Sequence, residues 1–238
     1  MPWLLLFYSL SNGLQDPFNE GAISPWTPEV GAWHYGSTEG LRYGVAEDTA
    51  LITGGLSSAV SPELLVLRQI YEEGPLAVAI SGGLGVPTFG MRLAQGMWFP
   101  EDVEIPWAVV VAGGLVAGWQ AEHLSLAAGF HGRMLLPGED SRLLTMDHPW
   151  LDPVVAPLVH GWALSARVRV GWTQGPWEWS VDQRISIPAG PDIDGRFLVH
   201  RALGERWSLG GGVATAWETY TADSRGRLAP LLSVRGQW

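Results

Sequence analysis

Serine, histidine and carboxylate side chains are the groups in this chain that could carry covalent or acid–base chemistry. His131, His148, His160 and His200 could each serve as the base of a Ser–His pair, and serines are plentiful. Such a pair needs the base within hydrogen-bond reach of the hydroxyl. No spacing singles one out, and no G-x-S-x-G occurs. No catalytic residue is assigned. Glu139, Asp140, Asp147, His148 and Asp152 crowd the stretch 137–157, and Glu101, Asp102 and Glu104 crowd the stretch before it. Oxygen ligands of this kind could hold Ca²⁺, but a solvated acidic loop accounts for them better, so no metal site is assigned. Gly210-Gly211-Gly212 is not a phosphate loop, because no Lys follows it. With zero Cys, thiol catalysis and Cys-ligated zinc are excluded. Nothing implies a cofactor.

A second group of charged residues alternates with apolar ones. His131, Arg133, Arg167, Arg169, Glu178, Asp182, Arg184, Glu218 and Arg235 fall on the polar phase of long two-residue alternations. From His160 to Trp172 the even positions are Trp162, Leu164, Ala166, Val168, Val170 and Trp172, and the odd ones include Ser165, Arg167 and Arg169. From Trp177 to Ile187 the odd positions are apolar apart from Gln183, and the even ones are Glu178, Ser180, Asp182, Arg184 and Ser186. The segments 107–119, 124–136, 207–220 and 228–238 repeat the pattern. A period of two is the signature of a strand with one apolar face.

The charged phase therefore forms one common face. Adjacent strands could set Arg133 and Arg167 or Arg169 close to Glu178 and Asp182. Such a cluster is either a salt-bridge network that fills and stiffens an interior or a selecting ring in a pore. The segments 76–86 and 107–119 give the same face a different lining of Ala77, Ala79, Ser81, Gly83, Gly85, Ala108, Val110, Ala112, Gly114 and Gly118. Small side chains there leave room for water, a ligand or an inserted segment such as 12–29 or 88–99.

Composition says what covers the apolar face. The 238 residues carry 14 basic and 24 acidic groups, a net charge of −10, which argues against nucleic acid as a partner. All the basic residues are Arg, and only 16% of the chain is charged. Strands of 11–14 residues exceed the usual five or six of soluble sheets and match those that cross a bilayer. Trp occurs 14 times. Trp107, Trp119, Trp162, Trp172, Trp177, Trp207, Trp217 and Trp238 sit at strand ends, as an aromatic girdle requires. Ten residues at a tilt near 40° rise about 25 Å, the height of an apolar band. No run reads as a spanning helix: the uncharged stretch between Glu73 and Arg92 is broken by Gly and Pro.

Tight turns at 46–48, 72–75, 120–123, 173–176 and 203–206 alternate with longer links. Twelve strands are predicted, at 29–36, 40–45, 49–57, 62–71, 76–86, 107–119, 124–136, 159–172, 177–187, 196–202, 207–220 and 228–238, with ten as the alternative count. The fold class is all-β, a transmembrane antiparallel up-and-down β-barrel over 29–238. Residues 1–13, with the apolar run Trp3–Leu10, are a candidate export signal. Residues 14–28 form a linker or plug segment.

The ending Leu232-Ser233-Val234-Arg235-Gly236-Gln237-Trp238 resembles the C-terminal signal of bacterial outer-membrane β-barrel proteins, with Trp in place of the usual Phe. The segment Leu41–Asp48 resembles the first hairpin of barrels from high-GC bacteria. The resemblance implies a Gram-negative outer membrane, with membrane lipid and lipopolysaccharide as surroundings. It also implies the barrel-assembly machinery as partner through the C-terminal strand. The acidic loops could then bridge lipopolysaccharide through divalent ions. It brings no activity with it. The leading expectation is a narrow, porin-like transport channel or uptake port for small polar solutes. A structural or interaction barrel with a plugged lumen is the alternative, and a lipid-modifying enzyme the weaker one.

Overall fold

Twelve antiparallel strands close into a barrel in the computed structural model of the protein, which describes residues 24–37, 40–54, 62–86, 88–93, 107–136, 161–187, 192–218 and 225–238. The strands are β1 (Trp33–Gly36), β2 (Gly40–Ala46), β3 (Thr49–Thr53), β4 (Glu63–Glu73), β5 (Leu76–Gly85), β6 (Val109–Gln120), β7 (Leu124–Leu136), β8 (Trp162–Gln174), β9 (Trp177–Ile187), β10 (Asp192–Ala202), β11 (Trp207–Glu218) and β12 (Arg225–Gln237). One short helix, α1 (Phe89–Leu93), follows β5. Every strand pairs with its sequence neighbours, and β1 closes the ring on β12. The count is twelve and not the alternative ten.

The alternation in the sequence is the alternation of the wall. Along β4, Leu64 and Val66 are exposed and Leu65 and Leu67 are buried. On β8, Leu164 and Val168 face out while Arg167 is buried. Phe130 is 67% exposed at the middle of β7 and His131 beside it is 6% exposed. Water makes such an outer surface costly, since each large aliphatic side chain left wet forfeits about 1.5–3 kcal/mol of burial. Hydrocarbon tails cover it without that cost. A sheet keeps its backbone amides satisfied in such a setting only as a closed ladder. A meander with an apolar exterior is the architecture of an outer-membrane-type barrel.

Aromatic side chains gather at the two ends of the wall. Trp33 stacks on Tyr43 at 4.3 Å, Trp172 lies 6.0 Å from Trp179, and Trp207 lies 5.4 Å from Trp238. These pairs stand at the end where the strands are joined by the tight turns 47–48, 74–75, 121–123, 175–176 and 203–206. At the other end, Trp107 is held by the Arg92 guanidinium, 4.7 Å above its ring, and by Phe89. Both come from α1, which Thr88 anchors by accepting a bond from the Ala108 N–H at 3.1 Å.

Most strand bounds differ from the sequence reading by one to four residues, and in two places the cause is clear. The first strand begins at Trp33 and not at residue 29. Gly31 takes φ +82°, and the chain before it turns into the barrel, where Val30 bridges Gly44 in parallel. The tenth strand begins at Asp192 and not at 196. Asp194 and Gly195 interrupt the apolar run but still pair with β9 and β11.

Pro230 sits inside β12, where a ladder donor is missing. The Trp238 N–H donates to Trp33, whereas the Gln237 N–H donates to Arg206. Even-numbered residues of β12 therefore point their backbone toward β1, and Pro230 is even. The described chain after β1 ends with Ser37 opposite Val234, so the absent N–H falls beyond the described pairing.

Candidate functional site: the lumen and its short-turn mouth

Inward-facing charge is concentrated on β7 to β10. Arg167 on β8 and Arg184 on β9 stand directly opposite each other. Like charges so placed repel. Each guanidinium instead turns to a different carboxylate. Arg167 grips Asp182 with two parallel bonds, Nε donating to Oδ1 at 2.6 Å and Nη2 to Oδ2. Arg184 donates through Nε at 2.8 Å and through Nη2 to Asp194, its register partner on β10. Asp182 also lies in register with Arg169 on one side and Arg196 on the other. It is the anion around which this wall is organised.

Sequence reasoning grouped Arg133 with Glu178 and Asp182. The structure places its Nη2 3.8 Å from the Glu63 carboxylate instead. Glu63 opens β4, three strands away, and both side chains are buried. His131 stands beside this pair, in register with Gly114 and Ser165.

Nearer the tight turns, Glu178 accepts from Arg235 Nη1 at 2.7 Å and lies 3.9 Å from Arg169 Nη2. Arg42 on β2 completes this group. Its Nη2 donates to the carbonyls of Trp26 at 2.5 Å and Ser24 at 3.2 Å. The described chain before β1 is thereby tied inside the mouth. Pro25 is fully buried, and a Cβ on Gly118 would come within 2.7 Å of both Pro25 and Trp26. Only glycine lets them lie against β6 so closely. Two cavities open here, of about 350 and 340 Å³. Arg42, Glu178 and Arg235 line both.

The opposite wall is small and apolar. Ala77, Ala79, Ala108, Val110 and Ala112 face in, and Ile52, Leu65, Leu67 and Val116 pack with Ala79 and Ala112 into one cluster. Several inward residues of this wall are dry: Ala50, Leu67, Ala77 and Ala79 have 0% exposure, whereas Ser81, Gly83 and Gly114 are partly covered.

Of the residues picked from sequence, His131, Arg133, Arg167, Asp182 and Arg184 are buried in the lumen, and Arg169, Glu178 and Arg235 are half-buried there. Trp107, Trp162, Trp172, Trp177, Trp207 and Trp238 are exposed at the rims, and Trp119 is partly covered. The side chains of Trp217 and Glu218 lie outside the described residues. So do His148, His160 and the acidic stretches 101–104 and 139–152. Sequence reasoning missed Arg42, Glu63, Asp194 and Arg196, and named His200 only as a candidate base and not as a lumen residue. Parity within 192–202 was the available signal for three of them: Asp194, Arg196 and His200 alternate with Ile193, Phe197 and Val199. Among the described residues no group of three His, Asp or Glu could hold a metal.

No family model and no curated protein matches the chain. Solved structures with a related shape include a porin, at 14% identity and TM-score 0.44, covering 83% of this chain and 61% of that one. A loop-deletion mutant of OmpT, an outer-membrane protein of Vibrio cholerae, matches at 10% identity and TM-score 0.42, covering 89% and 60%. OmpT from the same organism, expressed in the outer membrane, matches at 9% and 0.40, covering 83% and 63%. The chain spans about three fifths of the length of these barrels. Its barrel assignment rests on its own strand pairing.

Proposed function

We propose that this chain is an outer-membrane β-barrel of a Gram-negative bacterium whose lumen is occupied by its own side chains, so that it is closed to bulk solutes at rest. It serves as a structural or interaction barrel. What supports this reading is the dryness of the inward face. A water-filled pore wets the residues that line it, yet Leu65, Leu67, Val116 and His200 are each at or below 1% exposure. Barrels of twelve strands fall between the filled eight-stranded and the open sixteen-stranded kinds, and the packing here supports filling. The segment Ser24–Val30, pinned by Arg42, acts as a plug at the short-turn mouth. Lipid and lipopolysaccharide cover the outer wall, and the terminal strand engages the assembly machinery.

A narrow channel for small polar solutes is the second reading. The two polar cavities at the mouth favour it, since they already admit water into the charged end of the lumen. Planar-bilayer recording separates the two. The filled barrel gives no sustained open-channel current. Steady unitary steps from the wild-type protein overturn it and establish the channel.

A further inference from the structure

We propose that the short-turn mouth binds a small solute bearing a carboxylate or phosphate, held between Arg42, Arg169 and Arg235. Two guanidinium groups from separate strands, Arg169 and Arg235, meet there at one carboxylate, Glu178, and Arg42 from a third strand lines the same cavities. Arg235 reaches Glu178 from β12 across the inner faces of β10 and β11. Glu178 lines both cavities, together with Arg42 and Arg235. The side chains of Arg169 and Arg235 are 20% and 15% exposed, and that of Glu178 is 37% exposed. The cluster is thus half sheltered, with low-dielectric walls that focus its field.

Its local charge is positive in a protein whose net charge is −10. The other carboxylates on the cavity walls, Glu122 and Glu205, belong to the outer turns and are exposed to water. They screen the inner cations weakly. Arginine forks recognise carboxylate and phosphate oxygens in pairs. Each cavity, at about 350 or 340 Å³, is at the lower end of small-molecule sites. Trp26 and Trp172 give the second cavity an apolar wall beside the cations. The ligand competes with Glu178 for the same guanidinium groups. Glu178 is therefore an internal occupant that a stronger anion displaces.

Titration calorimetry on the purified barrel in micelles, at low ionic strength, tests this with inorganic phosphate and with succinate as probes. Saturable binding is expected for at least one of them, and the probe that binds assigns the headgroup chemistry. Glu178→Gln removes the competitor and should tighten binding on the order of tenfold. Arg235→Gln should weaken it by at least about tenfold. Arg169→Gln replaces it if that variant fails to give the gel shift of a folded barrel. If neither probe binds the wild type or Glu178→Gln, or if affinity is unchanged across the variants, the site is overturned. The measurement needs no ion current, so its failure and the failure of the filled-lumen reading are separate results.

Discussion

Replacing Asp182 by Asn is the sharpest test of how the lumen is held. The side chains of Arg167 and Asp182 are 3% and 12% exposed, so water cannot take over the role of the lost carboxylate. Arg167 would keep its burial and lose both parallel bonds. Arg169 and Arg196 stand in register with Asp182 on either side, so the change also removes a negative charge from between them. Removing one partner of a buried pair costs about 3–5 kcal/mol, and the crowding of cations puts this site at the upper end. Arg167→Met is the control. It keeps an unbranched apolar stem and leaves Asp182 beside two cations, so it should cost about 1.5–3 kcal/mol, the worth of hydrogen bonds to a charged group. Urea unfolding in lipid vesicles, followed by Trp fluorescence and by heat-modifiable gel mobility, measures both. Salt should change the difference little, because the pair is sheltered from mobile ions. A loss below about 1 kcal/mol for Asp182→Asn, or a larger loss for Arg167→Met, would refute the idea that one carboxylate organises this wall.

The outer face makes its own demand: Phe130→Arg, at the middle of β7, should cost about 2–4 kcal/mol in vesicle unfolding. Gly118→Val should push Pro25 and Trp26 off β6, read as faster maleimide labelling of a Pro25→Cys reporter in this cysteine-free chain. Arg184→Lys should cost about 1–2 kcal/mol, since an ammonium cannot make both bonds to Asp194. The Asp48 carboxyl, in the first tight turn, is held below its usual 3.8 by the Thr49 hydroxyl and by Arg68. Its contribution to stability is therefore complete above pH 3.8 and is lost as the pH falls through the lowered value. Thr49→Val should move that titration upward, as followed by NMR.

The outer half of this barrel was readable in advance because lipid asks the same of every outward position. β7 and β9 have the bounds that alternation predicts, 124–136 and 177–187. The inner half was readable only as a face. Which carboxylate each Arg takes depends on strands that are not sequence neighbours. Glu63 follows a proline at the start of β4, and nothing local ties it to Arg133 on β7. Asp194 stands between Ile193 and Gly195 and reads as part of a turn until β9 is laid beside it. Arg42 lies in a seven-residue strand, too short for alternation to assign its face with force.

The choice of Arg over Lys at every basic position has a physical reading in the lumen. Seven arginines among the described residues face inward: Arg42, Arg133, Arg167, Arg169, Arg184, Arg196 and Arg235. A lysine ammonium buried as Arg133, Arg167, Arg184 and Arg196 are is easily neutralised, because burial favours its uncharged form. Arginine keeps its charge under the same burial. Its flat fork also satisfies two carboxylate oxygens at once, as at Asp182. Where two cations face each other, as Arg167 and Arg184 do, each must turn away to its anion, Arg167 diagonally to Asp182 and Arg184 across to Asp194, and a long planar group can do so. A filled lumen built on charge needs cations that stay charged and point in a fixed direction. An open aqueous pore imposes no such demand, since water would serve either side chain. The arginine-only composition and the dryness of the inner wall therefore argue for the same closed interior by separate routes.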